Sequence, residues 1–393
     1  MNPNIQRRRF LSAAGAVSLA AHAPAVWAQP AKLRVGVLLP YSGTYAQLGN
    51  EITNGFKLAL RERGDKLGGR DFELIIVDSE ADPAKAVDNT NRLIHREKVD
   101  VIVGPVHSGV AMGMVKVTRE TGTLCIIPNA GLDAATGPLC APNIFRSSFS
   151  NWQPSYPLGK VMAERGHKRA VYVTWKYGAG EESLRGFRDG YEVYGGKVEK
   201  VLFLPFPNVE FQAILTEIAA LKPDAVAVFF AGAGAVKWVK DYAAAGLRGK
   251  IPLYGSGFLT DGTLAAQGDA ADGILTTLHY GDLLDNPKDK AFRAAYKKAY
   301  NRDADVYAVQ GYDAGQMLAI GLGATRGDVS GLRDIAIAIE RAEIDSPRGK
   351  FTISRAHNPV QDIYLRRVEK GLNRVIGVAA KSLADPAKGC KMG

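Results

Sequence analysis

The chain is sparing with the residues that most often carry metal or redox chemistry: three cysteines and six histidines in 393 residues. No C-x-x-C pair or Cys/His cluster occurs, and His95, His167, His279 and His357 stand singly, so nothing points to a metal or cofactor. Long apolar runs are missing as well. Beyond residue 30 none approaches the ~20 residues a membrane-spanning helix needs, and the run over 225–230 has the length of a buried strand. There is no G-x-x-x-x-G-K-[ST] phosphate loop and no G-x-S-x-G elbow around Ser108. Gly232-Ala233-Gly234-Ala235-Val236-Lys237 approaches a dinucleotide loop, but Lys237 stands where the third glycine belongs. The candidate loops below hold no paired carboxylates for acid–base work. A hydrolase or dehydrogenase would need such parts, so the reading is of a protein that is not an enzyme. A basic block is absent too. Without the three arginines near the N-terminus, the formal charge of +10 reduces to 47 basic against 40 acidic residues, spread along the chain. That suits a solvated surface and no nucleic-acid partner.

What is present starts with an address. Gln6-Arg7-Arg8-Arg9-Phe10-Leu11, an Ala/Gly/Ser/Val run over 12–25 and Val26-Trp27-Ala28 form a charged region, an apolar region and a processing site. Residues 1–28 therefore read as an export signal, cleaved near Ala28. Arg7-Arg8, one residue before Phe10-Leu11, matches the twin-arginine pattern. The expected compartment is the periplasm. A transcription regulator would need a helix-turn-helix where this signal stands. An oxidising compartment permits a Cys125–Cys140 disulfide; the other reading of Cys125, inside Leu124-Cys125-Ile126-Ile127, is a buried core thiol.

The remaining ~365 residues suit about two domains. Strands are expected over 33–39, 72–77, 99–103 and 124–127, alternating with helices over 50–63, 84–96 and 109–121. After a short extended stretch at 144–146 the rhythm restarts: strands over 170–174, 198–203, 225–230, 252–254 and 274–277, with helices over 158–165, 180–194, 211–221 and 236–245. Three helical stretches follow (288–300, 307–324, 332–340), and 350–353 with 361–368 closes the chain as a hairpin around Asn358-Pro359. Such βαβα alternation implies α/β architecture with two doubly covered, mostly parallel sheets.

In open α/β sheets ligands sit beyond the carboxyl ends of the strands. Four loops there stand out: 40–45, 104–109, 128–131 and 176–180. Ser108 opens a helix whose free N–H groups and positive end make an anion seat, unless it is only that helix's N-cap.

Val35-Gly36-Val37-Leu38-Leu39-Pro40-Tyr41-Ser42-Gly43-Thr44-Tyr45-Ala46-Gln47-Leu48-Gly49 resembles the opening of the Leu/Ile/Val-binding proteins. So do Asp78 to Ala86, Val101 to Gly104, Pro128-Asn129-Ala130, Tyr177-Gly178 with Gly186-Phe187, and Ala231-Gly232, in the same order. The resemblance implies a type I periplasmic binding protein of an ABC transporter: two lobes joined by three crossing segments, with a ligand between them. It places lobe 1 at 31–150 plus 281–349, lobe 2 at 151–280 plus 350–383, and a tail at 384–393. Ser108 matches the serine that holds a ligand carboxylate, Asn129 and Ala130 match backbone contacts to it, and Tyr177 matches a tyrosine of the second lobe. Gly131 replaces the family's threonine. Gly257 falls where its acidic partner for an amino group belongs, and a buried ammonium without that partner is costly. Tyr45, Leu48, Trp152, Tyr177 and Phe258 supply aromatic and apolar surface, with His107 and Asn151 as polar handles; Trp152 and Phe258 have packing as their other reading. Ser150-Asn151-Trp152-Gln153-Pro154 with Ala231-Gly232-Ala233-Gly234 resembles the branch that binds aromatic carboxylates. The expected ligand is a benzoate-like or phenylpropanoid acid, with a branched-chain amino acid or an amide as the alternative. The expected partners are an inner-membrane permease and its cytoplasmic ATPase, served by a monomer.

Overall fold

The computed structural model describes residues 31–392; the export signal expected over 1–28 lies outside them. The first block runs β1 (Leu33–Leu39), α1 (Ala46–Arg61), β2 (Phe72–Asp78), α2 (Ala86–Asn91), β3 (Val101–Val103), α3 (Ser108–Thr121), β4 (Leu124–Ile127), α4 (Asp133–Thr136) and β5 (Ile144–Arg146). The second runs α5 (Trp152–Glu164), β6 (Arg169–Trp175), α6 (Gly178–Tyr191), β7 (Lys197–Leu204), α7 (Gln212–Leu221), β8 (Ala225–Phe229), α8 (Gly232–Ala244), β9 (Leu253–Ser256), α9 (Leu264–Gln267) and β10 (Leu275–Leu278). Three helices follow, α10 (Pro287–Tyr300), α11 (Val306–Ala324) and α12 (Leu332–Arg341), and then β11 (Thr352–Ile353), β12 (Pro359–Glu369) and β13 (Leu372–Leu383).

Five parallel strands in the order β2-β1-β3-β4-β5 make one sheet. In the other, β7-β6-β8-β9-β10 repeat that order in parallel, and β12 adds antiparallel to β10. The central strands β3, β4 and β8 are buried along their whole length, as continuous apolar runs covered on both faces must be. In each sheet the strand order reverses beside the first strand of its block, β1 or β6. Crevices open at such switch points, because the loops on either side leave in opposite directions.

The long α11 is almost wholly buried, Gln310, Asp313 and Gln316 included, and runs through the middle of the core. It packs on α1, whose buried Leu48, Ile52, Phe56 and Ala59 recur at helical spacing. The two backbones approach so closely that a Cβ on Gly55 would strike the Ala308 carbonyl, and one on Gly311 the Ile52 carbonyl. This contact fixes the start of α11, and with it Tyr307, beside Tyr45 at the start of α1.

Two sequence expectations need correction. The closing hairpin has a longer second arm: β12 pairs with β11 over only two residues but with β13 along most of its length. β13 was missed because it is mostly exposed or half-buried, so an edge strand of this kind carries no buried apolar face to announce it. Cys140 is bonded not to Cys125 but to Cys390, 250 residues on in the C-terminal tail. Cys125 is the free, buried core thiol, pushed up to about 12 by burial. The disulfide closes a loop of 250 residues, which restricts the unfolded state far more than the folded one. Replacing Cys140 and Cys390 together with serine is expected to remove about 2–5 kcal/mol of stability, measured as a fall in thermal midpoint that a reductant reproduces in the wild type.

Candidate functional site

The carboxyl ends of both sheets converge on one narrow, partly open cavity of about 20 Å³. β1 leads to Tyr45 and Leu48, β3 to Val106 and Ser108, β4 to Asn129 and Gly131, and β5 to Phe149 and Asn151. From the second sheet come Tyr177 and Ala179 after β6, Phe229 and Ala231 at the end of β8, and Phe258 after β9; Tyr307 enters from α11. None of these lining residues carries a charge. The walls are aromatic: Phe149 and Phe258 lie 4.6 Å apart between centroids, and Phe229 meets Phe258 edge-on at 6.3 Å.

Ser108 is the first residue of α3, and the cap is His107, whose Nδ1 accepts the Gly109 N–H at 3.0 Å. The N-cap reading of Ser108 is thereby set aside. The Ser108 N–H has no carbonyl a turn behind it, and its hydroxyl stands at the positive end of the helix. Asn151 Nδ2 donates to Ser108 Oγ at 3.2 Å and to Glu182 Oε2 at 2.6 Å. A hydroxyl has a single hydrogen; with Oγ already accepting from Asn151, that hydrogen is free to turn into the cavity. Burial holds the His107 imidazole down at about 4, so it is neutral at physiological pH. Its Nδ1 is occupied as an acceptor, which places the proton on Nε2.

The structure brings together Ser108, Asn129, Gly131, Tyr45, Asn151, Tyr177 and Phe258 and leaves other expected residues outside. The Ala130 N–H donates to the Pro105 carbonyl of the neighbouring loop at 3.0 Å, so it is spent there. The Asn129 side chain is tied to Gln310 of α11 at 2.6 Å. Trp152 stacks on Tyr156 and donates to Asp189 at 2.9 Å, away from the cavity, which makes it packing. His107 stands behind Tyr177, its ring stacked at 4.6 Å. The place of a side chain at Gly257 is filled by the Arg366 guanidinium and Leu278. Arg366 in turn contacts buried Asp261 at 2.8 Å, so that carboxylate faces a cation of the protein itself.

Phe149, Phe229, Tyr307 and Glu182 escaped the sequence reading. Phe149 stands among the serines 147, 148 and 150, where an isolated aromatic is a signal; Tyr307 and Glu182 lie inside helices and carry none. Tyr307 is buried, and its hydroxyl has no hydrogen-bond partner among the described residues. The Tyr45 and Tyr177 hydroxyls lie 3.1 Å apart, joining the loop after β1 to the loop after β6. Gln47 Nε2 donates to the Gly262 carbonyl at 3.0 Å across the same gap.

Two mostly parallel α/β sheets meeting at their switch points over an uncharged cavity define a two-lobed solute-binding protein. The chain belongs to the periplasmic binding protein family, whose model matches residues 32–373, and is a solute-binding component of an ABC transporter. It is 30% identical to Leu/Ile/Val-binding protein homolog 6 of Brucella melitensis, over 92% of each chain. Among solved structures it resembles a Rhodopseudomonas palustris ABC-transporter solute-binding protein in complex with benzoate: 52% identity, TM-score 0.90, covering 92% of this chain and all of that one. A second, from strain BisB5 of that species, in complex with 3,4-dihydroxybenzoic acid, is 30% identical with TM-score 0.85, covering 90% of this chain and 99% of the other.

Proposed function

We propose that this protein captures an aromatic carboxylate of the benzoate class in the periplasm and presents it, unchanged, to an inner-membrane permease driven by a cytoplasmic ATPase. One observation carries the reading: the cavity offers a negative head group the Ser108 hydroxyl and the start of α3, offers a flat ring the walls of Phe149, Phe258 and Phe229, and offers an ammonium no carboxylate. The benzoate and dihydroxybenzoate complexes of the similar proteins support it. Ligand seated between the Ser108 loop and Tyr177 touches both sheets, so binding biases a hinge equilibrium toward the closed form. The export signal at 1–28, the two lobes with their expected boundaries and the monomeric state belong to this reading.

The test is thermal unfolding of the mature protein with benzoate, 4-hydroxybenzoate, a cinnamate and L-leucine, with the solution assayed for chemical change afterwards. At a hundredfold excess over Kd a bound acid adds about 2.7 kcal/mol to the folded state. Aryl acids should raise the midpoint by several degrees and be recovered intact. Stabilisation by L-leucine with no response to aryl acids would overturn the proposal.

A further inference from the structure

Behind Ser108 lies a buried polar chain that ends on a carboxyl group. Glu182, on the second turn of α6, is buried beneath the cavity wall. Its Oε2 accepts twice, from Asn151 Nδ2 at 2.6 Å and from the Asp133 N–H at 3.1 Å. Asn151 passes the constraint on to Ser108 Oγ at 3.2 Å. All three side chains are at least nine-tenths buried.

We propose that Glu182 is a positioning residue for ligand capture: it holds the Asn151 amide so that the Ser108 hydroxyl hydrogen faces the cavity, and its carboxyl takes up a proton when a carboxylate ligand binds. This rests on the carboxylate-binding role proposed above. Because both hydrogen bonds fall on Oε2, a proton on Oε1 leaves them in place, so the Asn151 amide keeps its direction in either charge state. Only the charge changes.

The charged groups around Glu182 set the sign. Asp133 of α4 faces it, and Arg185 of α6 binds Asp133 at 2.6 Å. Arg146 of β5 is buried nearby and bonds the Ala130, Leu132 and Phe149 carbonyls. Asp385 of the tail accepts from Ser150 and acts on both Asp133 and Arg146. Asp189 and Lys388 lie farther out, beyond Arg185. Two arginines against Asp133 and Asp385 leave the cluster neutral when Glu182 is protonated and negative when it is ionised. Burial first, and Asp133 second, push Glu182 up to about 7. An anion bound on Ser108 is close enough to push it higher. Binding then draws in a proton, and affinity falls as pH rises past the free protein's value. His107, held down at about 4, titrates outside this window.

The test is calorimetric titration of the mature protein with benzoate at pH 6, 7 and 8, in two buffers of different ionisation enthalpy. If the ligand raises the Glu182 value by one unit, the wild-type Kd increases about fivefold from pH 6 to 8, with proton uptake near pH 7.5. Glu182→Gln, which keeps an acceptor oxygen without the charge, should show neither the slope nor the uptake. Glu182→Ala, which also removes the brace, should bind more weakly at every pH. Tight binding that is independent of pH in the wild type, or a slope that survives in Glu182→Gln, overturns this inference alone. Absence of benzoate binding at every pH overturns the proposed function and this inference with it.

Discussion

Ser108→Ala is expected to weaken binding of the preferred aryl acid roughly 10- to 100-fold while leaving the ligand-free protein about as stable as before. The expected loss is that of one hydrogen bond to a charged acceptor in a buried site, about 1.5–3 kcal/mol. The small stability effect follows from the cap. His107, not Ser108, accepts the Gly109 N–H, so the substitution does not uncap α3. Calorimetric affinity and the thermal midpoint of the ligand-free variant separate the two. Tyr177→Ala tests the opposite wall: it removes the link to Tyr45 and a ring that packs on His107 and Phe206. It too should cost affinity. Unchanged affinity in both variants would show that the cavity is not where the ligand binds.

The largest effect on stability is expected from Arg366→Met. Arg366 lies fully buried on β12, donating to the Tyr280 carbonyl at 2.8 Å and to Thr276 Oγ1 at 3.0 and 3.1 Å. Its guanidinium also meets Asp261 at 2.8 Å, in ionic contact though off the hydrogen-bonding direction. Even with that cation beside it, burial pushes the Asp261 carboxyl up to about 6. Removing the guanidinium strands the carboxylate, at a cost of about 3–5 kcal/mol, or a midpoint roughly 5–15 °C lower. A carboxyl whose folded value lies above its unfolded one holds more protons in the folded state between the two, so stability falls as pH rises through that window. Without Arg366 the window extends further upward. The variant should therefore recover part of its loss on acidification from pH 7.5 to 5.5, which thermal denaturation across that range would reveal. A midpoint equal to wild type would mean that Asp261 finds another partner.

Both predictions depend on contacts that differ in how readily they could be read. The strands β1, β3, β4 and β8 and their alternation with helices were legible, because runs such as Val101–Val103 and Ala225–Phe229 are apolar at every position. The loops at their carboxyl ends were legible for the same reason, and with them Ser108, Tyr45 and Tyr177. The resemblance also argued against an ammonium, because Gly257 stands where the family has its acidic residue. The roles inside the loops were not legible. Ala130 spends its N–H on Pro105, and Trp152 turns to Tyr156 and Asp189. Each is settled by neighbours brought close only by folding. Glu182 resembles any acid in the first turns of an amphipathic helix until Asp133, 49 positions earlier, and Asn151 are placed against it.

Period and composition, which act between residues a few positions apart, were enough to determine two mostly parallel α/β sheets and the loops at their carboxyl ends; the family was legible only through the resemblance of runs such as 35–49 and 128–130. Tertiary structure alone decided that Cys140 joins Cys390 across 250 residues, that Arg366 fills the space beside Gly257, and that Tyr307 enters the cavity from α11. Those outcomes depend on the meeting of segments far apart in the chain, and a pairing set by packing leaves no periodic mark on either partner.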